Sequence, residues 1–117
     1  MVNECLKEIK ENCDPESLGM ILVHNGIVRG TSKDRKPIKS MKLSYDKDAL
    51  ESYVARLKNR EGIAAIRVRI NSGVLSVGED IMYLLVAGRF RTDVLPVLQE
   101  LLSTVKNEIV HEEELQP

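Results

Sequence analysis

The run Gly73-Val74-Leu75-Ser76-Val77-Gly78-Glu79-Asp80 continues as Ile81-Met82-Tyr83-Leu84-Leu85-Val86-Ala87 and closes with Gly88-Arg89-Phe90-Arg91-Thr92. Its reading decides the fold. Asn71-Ser72-Gly73 predicts a turn, residues 74–77 a short extended segment, and Gly78 a second turn. Residues 80–87 are the most hydrophobic stretch of the chain and are predicted to form a central strand. Just upstream, residues 63–70 read as a strand with Ile66, Val68 and Ile70 on one face and Arg67 and Arg69 on the other. Strands spaced this closely through glycine turns predict a hairpin.

Outward from this centre, the spacing predicts helices. Thr92 or Asp93 is a candidate cap for a last helix whose stripe is Val94, Leu95, Val97, Leu98, Leu101, Leu102 and Val105, with Pro96 expected in its first turn. Residues 108–112 are a candidate terminal strand. Asp46 or Asp48 is suited to cap a helix reaching about Arg60, with Leu50, Tyr53, Val54 and Leu57 three and four apart. Residues 38–45 read as a strand, 30–37 as an exposed basic loop, and 19–29 as a strand that Gly26 interrupts with a bulge or a close approach. At the start, Cys5, Leu6, Ile9 and Cys13 fall at helical spacing until Asp14-Pro15 ends the helix. Two strands, a helix, a strand hairpin and a final helix argue for an α+β fold with a largely antiparallel sheet and about three helices.

The chain has 117 residues, enough for one domain over 1–117. Its net charge of −1 excludes the broad basic surface that a phosphate backbone demands, and a single Phe with three Tyr and no Trp leaves few stacking platforms for bases. Neither a nucleic-acid nor a membrane partner is expected, and the absence of a signal peptide pattern points to the cytoplasm. Cys5 and Cys13 read as free, partly buried thiols. Two histidines far apart in sequence, His24 and His111, indicate no metal site, and no cofactor motif is present.

Two segments carry a resemblance. Gly19-Met20-Ile21-Leu22-Val23-His24-Asn25-Gly26-Ile27-Val28-Arg29 resembles the pattern G-[AS]-x-V-x-F-x-G-x-V-R of the molybdopterin synthase large subunit family (MoaE-like). Gly73 to Asp80, the apolar strand and Arg89-Phe90-Arg91-Thr92 are similar to that family's G-x-L-x-x-G-E/D, strand, His-Arg-Ser/Thr. The resemblance spans roughly residues 17–114 and implies an α/β-hammerhead-like domain and a homodimer. It further implies transfer of sulfur to cyclic pyranopterin monophosphate from a thiocarboxylated, small ubiquitin-like (MoaD-like) subunit.

Residue by residue, the resemblance makes Arg29 and Arg91 substrate-anion ligands and Lys106 the first of two catalytic lysines. Arg chemistry suits this role because its planar fork matches a phosphate. Phe90 stands at the histidine position, which leaves Arg89 as the neighbouring donor. Glu113 stands at the second lysine position and reverses the charge beside an anionic substrate. Further departures are Ser44 to Ala49, a weak match to the family's strand end and helix start, and Ile70-Asn71 in place of His-Arg. The basic tip Lys33, Arg35 and Lys36 matches a loop that lies near the active site in the family. Arg67, Arg69, Arg89 and Arg91 form a second candidate anion cluster if their strands are neighbours. The departures also support a second reading: a non-catalytic relative whose pocket holds an anionic small molecule or a protein tail.

Overall fold

The structure, a computed structural model, describes residues 2–117. Its elements run α1 (Val2–Asn12), β1 (Met20–Ile27), β2 (Ser40–Tyr45), α2 (Lys47–Leu57), β3 (Ile63–Ile70), β4 (Gly73–Ser76), β5 (Asp80–Gly88), α3 (Arg91–Thr104) and β6 (Val110–Leu115). This is the α+β architecture the sequence predicts, with three α-helices and antiparallel pairing throughout the described strands.

The strands divide into two three-stranded sheets, ordered β1-β5-β3 and β4-β2-β6. β5 is central, as its unbroken hydrophobicity requires: Leu84, Val86 and Ala87 are fully buried. The expected hairpin is made by β3 and β5, while β4 between them leaves for the other sheet and pairs with β2, Met41 opposite Leu75. Leu75 is the only buried residue of β4, so this short segment is held by one anchor and by its ladder to β2. Gly78, at φ +93°, makes the return turn in a conformation that a side chain would strain.

Two apolar clusters lie on either side of the first sheet. Ile66, Leu84 and Val86 pack with Met41, Leu43, Val94, Val97 and Leu101 between sheets and helices. On the outer face, Ile9 of α1 packs on Ala65, Leu85 and Ala87, with Cys5, Leu6 and Cys13 beside it. Both cysteines are free and partly buried, as expected. Arg67 shares this outer face with Arg69 and donates to Glu8 at 2.8 and 3.2 Å.

Helix ends follow local chemistry with two corrections. Asp46 caps α2 by accepting from the Ala49 amide at 3.0 Å. α3 starts earlier than predicted, with Phe90 at the cap position and no side-chain cap, because the Asp93 and Val94 amides both donate to the Phe90 carbonyl. Pro96 therefore lies in the second turn instead of the first, and its missing amide leaves the Thr92 carbonyl without its helical donor.

Candidate functional site

The glycine turn at the centre of the sequence reading also positions Arg29. The Gly78 amide donates to the Val28 carbonyl at 2.9 Å and the Val28 amide to the Glu79 carbonyl at 2.9 Å. Val28 is buried, so Arg29 leaves β1 from a fixed point. The predicted irregularity at Gly26 is present as a register shift between Gly26 and Ile27. The following loop is a closed one: the Ile38 amide donates to Gly30 and the Ser32 amide to Lys36, both at 2.9 Å, with Arg35 in the left-handed region at φ 63°.

Lys106 comes from the other end of the sequence. α3 does not end in an ordinary cap but widens into a π-helical turn, Val105–Ile109, in which the Val110 amide donates to the Val105 carbonyl. Val105 and Ile109 stay in the core while Lys106 between them is exposed. Single π turns inside or beside α-helices recur at functional sites because they re-aim a side chain. The turn is tied down by the Asp46 amide, which donates to the Ile109 carbonyl at 3.1 Å, and by Thr104, whose hydroxyl meets that of Tyr53 at 3.0 Å.

These elements enclose a cavity of about 240 Å³ lined by cationic Arg29, Lys33 and Lys106, by His24, and by Glu112 and Glu114 of β6; its apolar floor includes Met41, Ile81 and Met82. Among the described residues, no ion pair within 4 Å engages its three cations. Burial, then the Lys106 ammonium, hold the His24 imidazole below its ordinary pKa. Three cations set against two carboxylates suit an anionic group within a larger polar ligand.

Larger cavities lie on the outer sheet face. One, of about 340 Å³, is lined by Glu4, Glu8 and Arg67. Its guanidinium already pairs with Glu8, whose pKa is lowered chiefly by that hydrogen bond. Another holds Asp80 and Tyr83, which satisfy each other, with Asn25 also donating to Asp80 at 3.1 Å. Neither is arranged as an open anion site.

The model of the MoaE protein family matches residues 2–108. The chain belongs to the MoaE protein family. Over 109 residues it is 28% identical to an uncharacterized protein of Methanocaldococcus jannaschii, covering 90% of this chain and 87% of that one. Its fold is similar to molybdopterin cofactor biosynthesis protein E of Burkholderia multivorans, with TM-score 0.78, 17% identity, and coverage of 100% of this chain and 82% of that one. A molybdopterin synthase structure from Staphylococcus aureus matches with TM-score 0.76 and 14% identity over 96% and 84%. A complex of subunits 1 and 2 of molybdopterin-converting factor from Helicobacter pylori matches with TM-score 0.73 and 17% identity over 97% and 77%.

In this MoaE-family chain the four sequence-predicted residues separate into two places. Arg29 and Lys106 share the cavity, but Arg89 and Arg91 do not line it. β1 and β5 are antiparallel, with Ile27 opposite Asp80 and Met20 opposite Gly88. Arg29 therefore follows one end of the ladder and Arg89 the other, and the ladder between them, Met20 to Ile27, is roughly 24 Å long at about 3.4 Å per residue. The expectation that Arg29 and Arg91 grip one phosphate is not met within a single chain. Arg89 lies 3.9 Å from both Glu61 and Asp93 and stacks over Phe90, and Arg91 is the exposed first residue of α3. The four-arginine cluster does not form either, since Arg69 sits opposite Tyr83 near the other end of β5.

The acidic departure is also relocated. Glu113 lies opposite Lys42 and is not among the cavity residues, whereas Glu112 and Glu114, opposite Leu43 and Met41, are. Alternation along β6 turns its even-numbered positions toward the cavity. His24 was legible only as a strand residue; the alternation that puts it on one face with Gly26 was the available signal, but its cavity neighbours come from five other segments.

Proposed function

We propose that this protein acts in molybdenum cofactor biosynthesis as the large subunit of a molybdopterin synthase. In this reading it moves sulfur from the thiocarboxylated C-terminus of a small ubiquitin-like partner to cyclic pyranopterin monophosphate. The observation that carries the proposal is the convergence of Arg29 and Lys106 on one cavity within the MoaE fold. Arg29, with Lys33 beside it, would hold the substrate phosphate, the guanidinium by its paired donors and the ammonium as a point charge. Lys106 would act beside it as acid, base or nucleophile.

A homodimer belongs to the proposal and gives Arg89 and Arg91 a route to the chemistry. In a two-fold dimer, the far end of the β1–β5 ladder of one copy would meet the cavity of the other, so that each site draws residues from both. The solved complex from Helicobacter pylori, a pair of different subunits, supports a small-subunit partner.

Glu112 and Glu114 favour a second reading, in which the protein binds an anionic small molecule or a protein tail without catalysis. Reconstitution with a thiocarboxylated small subunit and precursor separates the two. Formation of molybdopterin that depends on Lys106 supports the enzyme, while saturable precursor binding with no product supports the non-catalytic relative.

A further inference from the structure

One cavity residue has no part in the chemistry above. His24 is in the middle of β1, half-buried, on the same strand face as Gly26. Because residue 26 has no side chain, the imidazole lies over it: His24 Nε2 is 3.6 Å from the point a Cβ at 26 would occupy, beside Met82 and Ile81. The ring thus faces into the cavity with no hydrogen bond from the described residues engaging it. In the quoted sequence pattern this position carries Phe, while Phe90 stands where the pattern carries His. The chain has a histidine at the cavity, supplied from a different strand.

Every element around the imidazole lines its cavity. Arg29 follows β1, Lys33 comes from the closed loop and Lys106 from the π turn, all cationic; Glu112 and Glu114 of β6 are acidic; β2 and β5 present Met41, Ile81 and Met82. Burial, then the Lys106 charge, favour the neutral ring. An oxyanion seated among the three cations reverses that balance, since an adjacent negative charge favours the protonated imidazole and gives it a second N–H donor.

We propose that His24 is a fourth anion-binding group of this cavity, and that an oxyanion of the phosphate-monoester or sulfate type binds there with uptake of one proton from solvent by His24. The inference rests on the anion-binding part of the proposed function and not on sulfur transfer. Linkage fixes the sign. Between the pKa of His24 in the free protein and its higher value in the complex, affinity falls as pH rises, by at most about tenfold per unit. Below the free value and above the bound value it is flat.

Sulfate is the probe, because it does not itself titrate near neutrality. The full chain is titrated with sulfate at constant ionic strength, following the imidazole resonances by NMR from pH 5 to 8. Heat of binding is measured at pH 6.5 in two buffers of different protonation enthalpy. The expected result is a rise of about one unit or more in the His24 pKa at saturation, with a buffer-dependent heat showing uptake of up to about one proton. H24Q loses the uptake and binds several-fold more weakly at pH 6 but nearly as well at pH 8. H111Q, altered on the exposed β6 position opposite Ser44, behaves as the parent. Saturable sulfate binding with an unmoved His24, or no saturable binding at all, overturns the inference. The NMR titration of the parent protein decides alone if H24Q does not fold. A failure to make molybdopterin alongside proton-linked sulfate binding removes the enzyme reading and leaves this one standing.

Discussion

Arg29 and Lys106 reach the same cavity from opposite ends of the sequence, one through the Gly78 turn that fixes Val28 and the other through the π turn after α3. Both are exposed and neither holds up the core. K106A is therefore expected to lower molybdopterin formation by about 10²- to 10⁴-fold, the usual worth of a positioned acid or base, with an unchanged unfolding midpoint. R29A is expected to weaken precursor binding instead. Steady-state kinetics with thermal unfolding of each variant tests the separation; equal loss of stability would assign both residues to structure.

The distance between the Arg29 and Arg91 ends of the ladder makes a sharper test of the dimer. If Arg91 serves the partner's cavity, R29A and R91A each turn over little at limiting precursor, yet unfolded and refolded together they form mixed dimers with one intact site. Random mixing would then restore about a quarter of parental activity. No recovery means that Arg91 does not complete the site across an interface.

Glu112 and Glu114 oppose an anion in the cavity, though both are exposed and screened. E112Q with E114Q should tighten phosphate-ester binding by roughly two- to fivefold at low salt, in keeping with surface charge pairs, and the gain should shrink at high salt. Isothermal titration at two ionic strengths reads this directly. Weaker binding in the double variant would mean that the carboxylates contact the ligand's donor groups.

The Glu8–Arg67 pair predicts an acid limb of stability. The Glu8 carboxyl is held below its ordinary value of 4.5, mainly by its hydrogen bond from Arg67. The folded protein thus prefers the ionised form more than the unfolded chain does. The stabilisation is present above the unfolded value and is lost as pH falls through the lower, folded one. Unfolding midpoints of parent and E8Q should converge as pH drops below 4.5 and stay apart at pH 6. A constant gap would remove the pair as the cause.

Gly88 is where the end of β5 meets the chain entering β3. A Cβ there would run into the Gly62 carbonyl oxygen, with Val94 Cγ2 at 2.7 Å. Backbone cannot yield as a flexible side chain does, so G88A should cost about 1–3 kcal/mol. The denaturant midpoint should fall at unchanged slope.

What could be read from the sequence was local. The Asp46 cap, the two faces of β3 and the buried β5 follow from side-chain spacing, and the structure has all three. The pairing of β4 with β2 was not legible, because Leu75 alone gives no period and glycine turns suit a hairpin equally well. Nor was the π turn: the helical stripe runs out at Val105 and residues 108–112 read as a strand, whereas the turn takes in Ile109 and the strand starts at Val110. The same shortfall hid the site. Matching Glu113 to a lysine position counts residues, but the cavity is addressed by alternate residues, and one place of shift along β6 exchanges Glu113 for Glu112 and Glu114. Arg29 and Arg91 each match the family pattern, yet a pattern holds no record of which end of a ladder a residue occupies.

The widened turn after Thr104 makes chain length itself a determinant of the cavity. Removing one residue between 105 and 109 would let α3 run on in ordinary register with its composition nearly intact. The residues on one side of the deletion would then turn by about 100° around the helix axis against those on the other, changing how Lys106 is set relative to Ile109. Among relatives, then, an insertion or deletion in these five positions should matter more than most substitutions there, because it re-aims Lys106 without changing its chemistry.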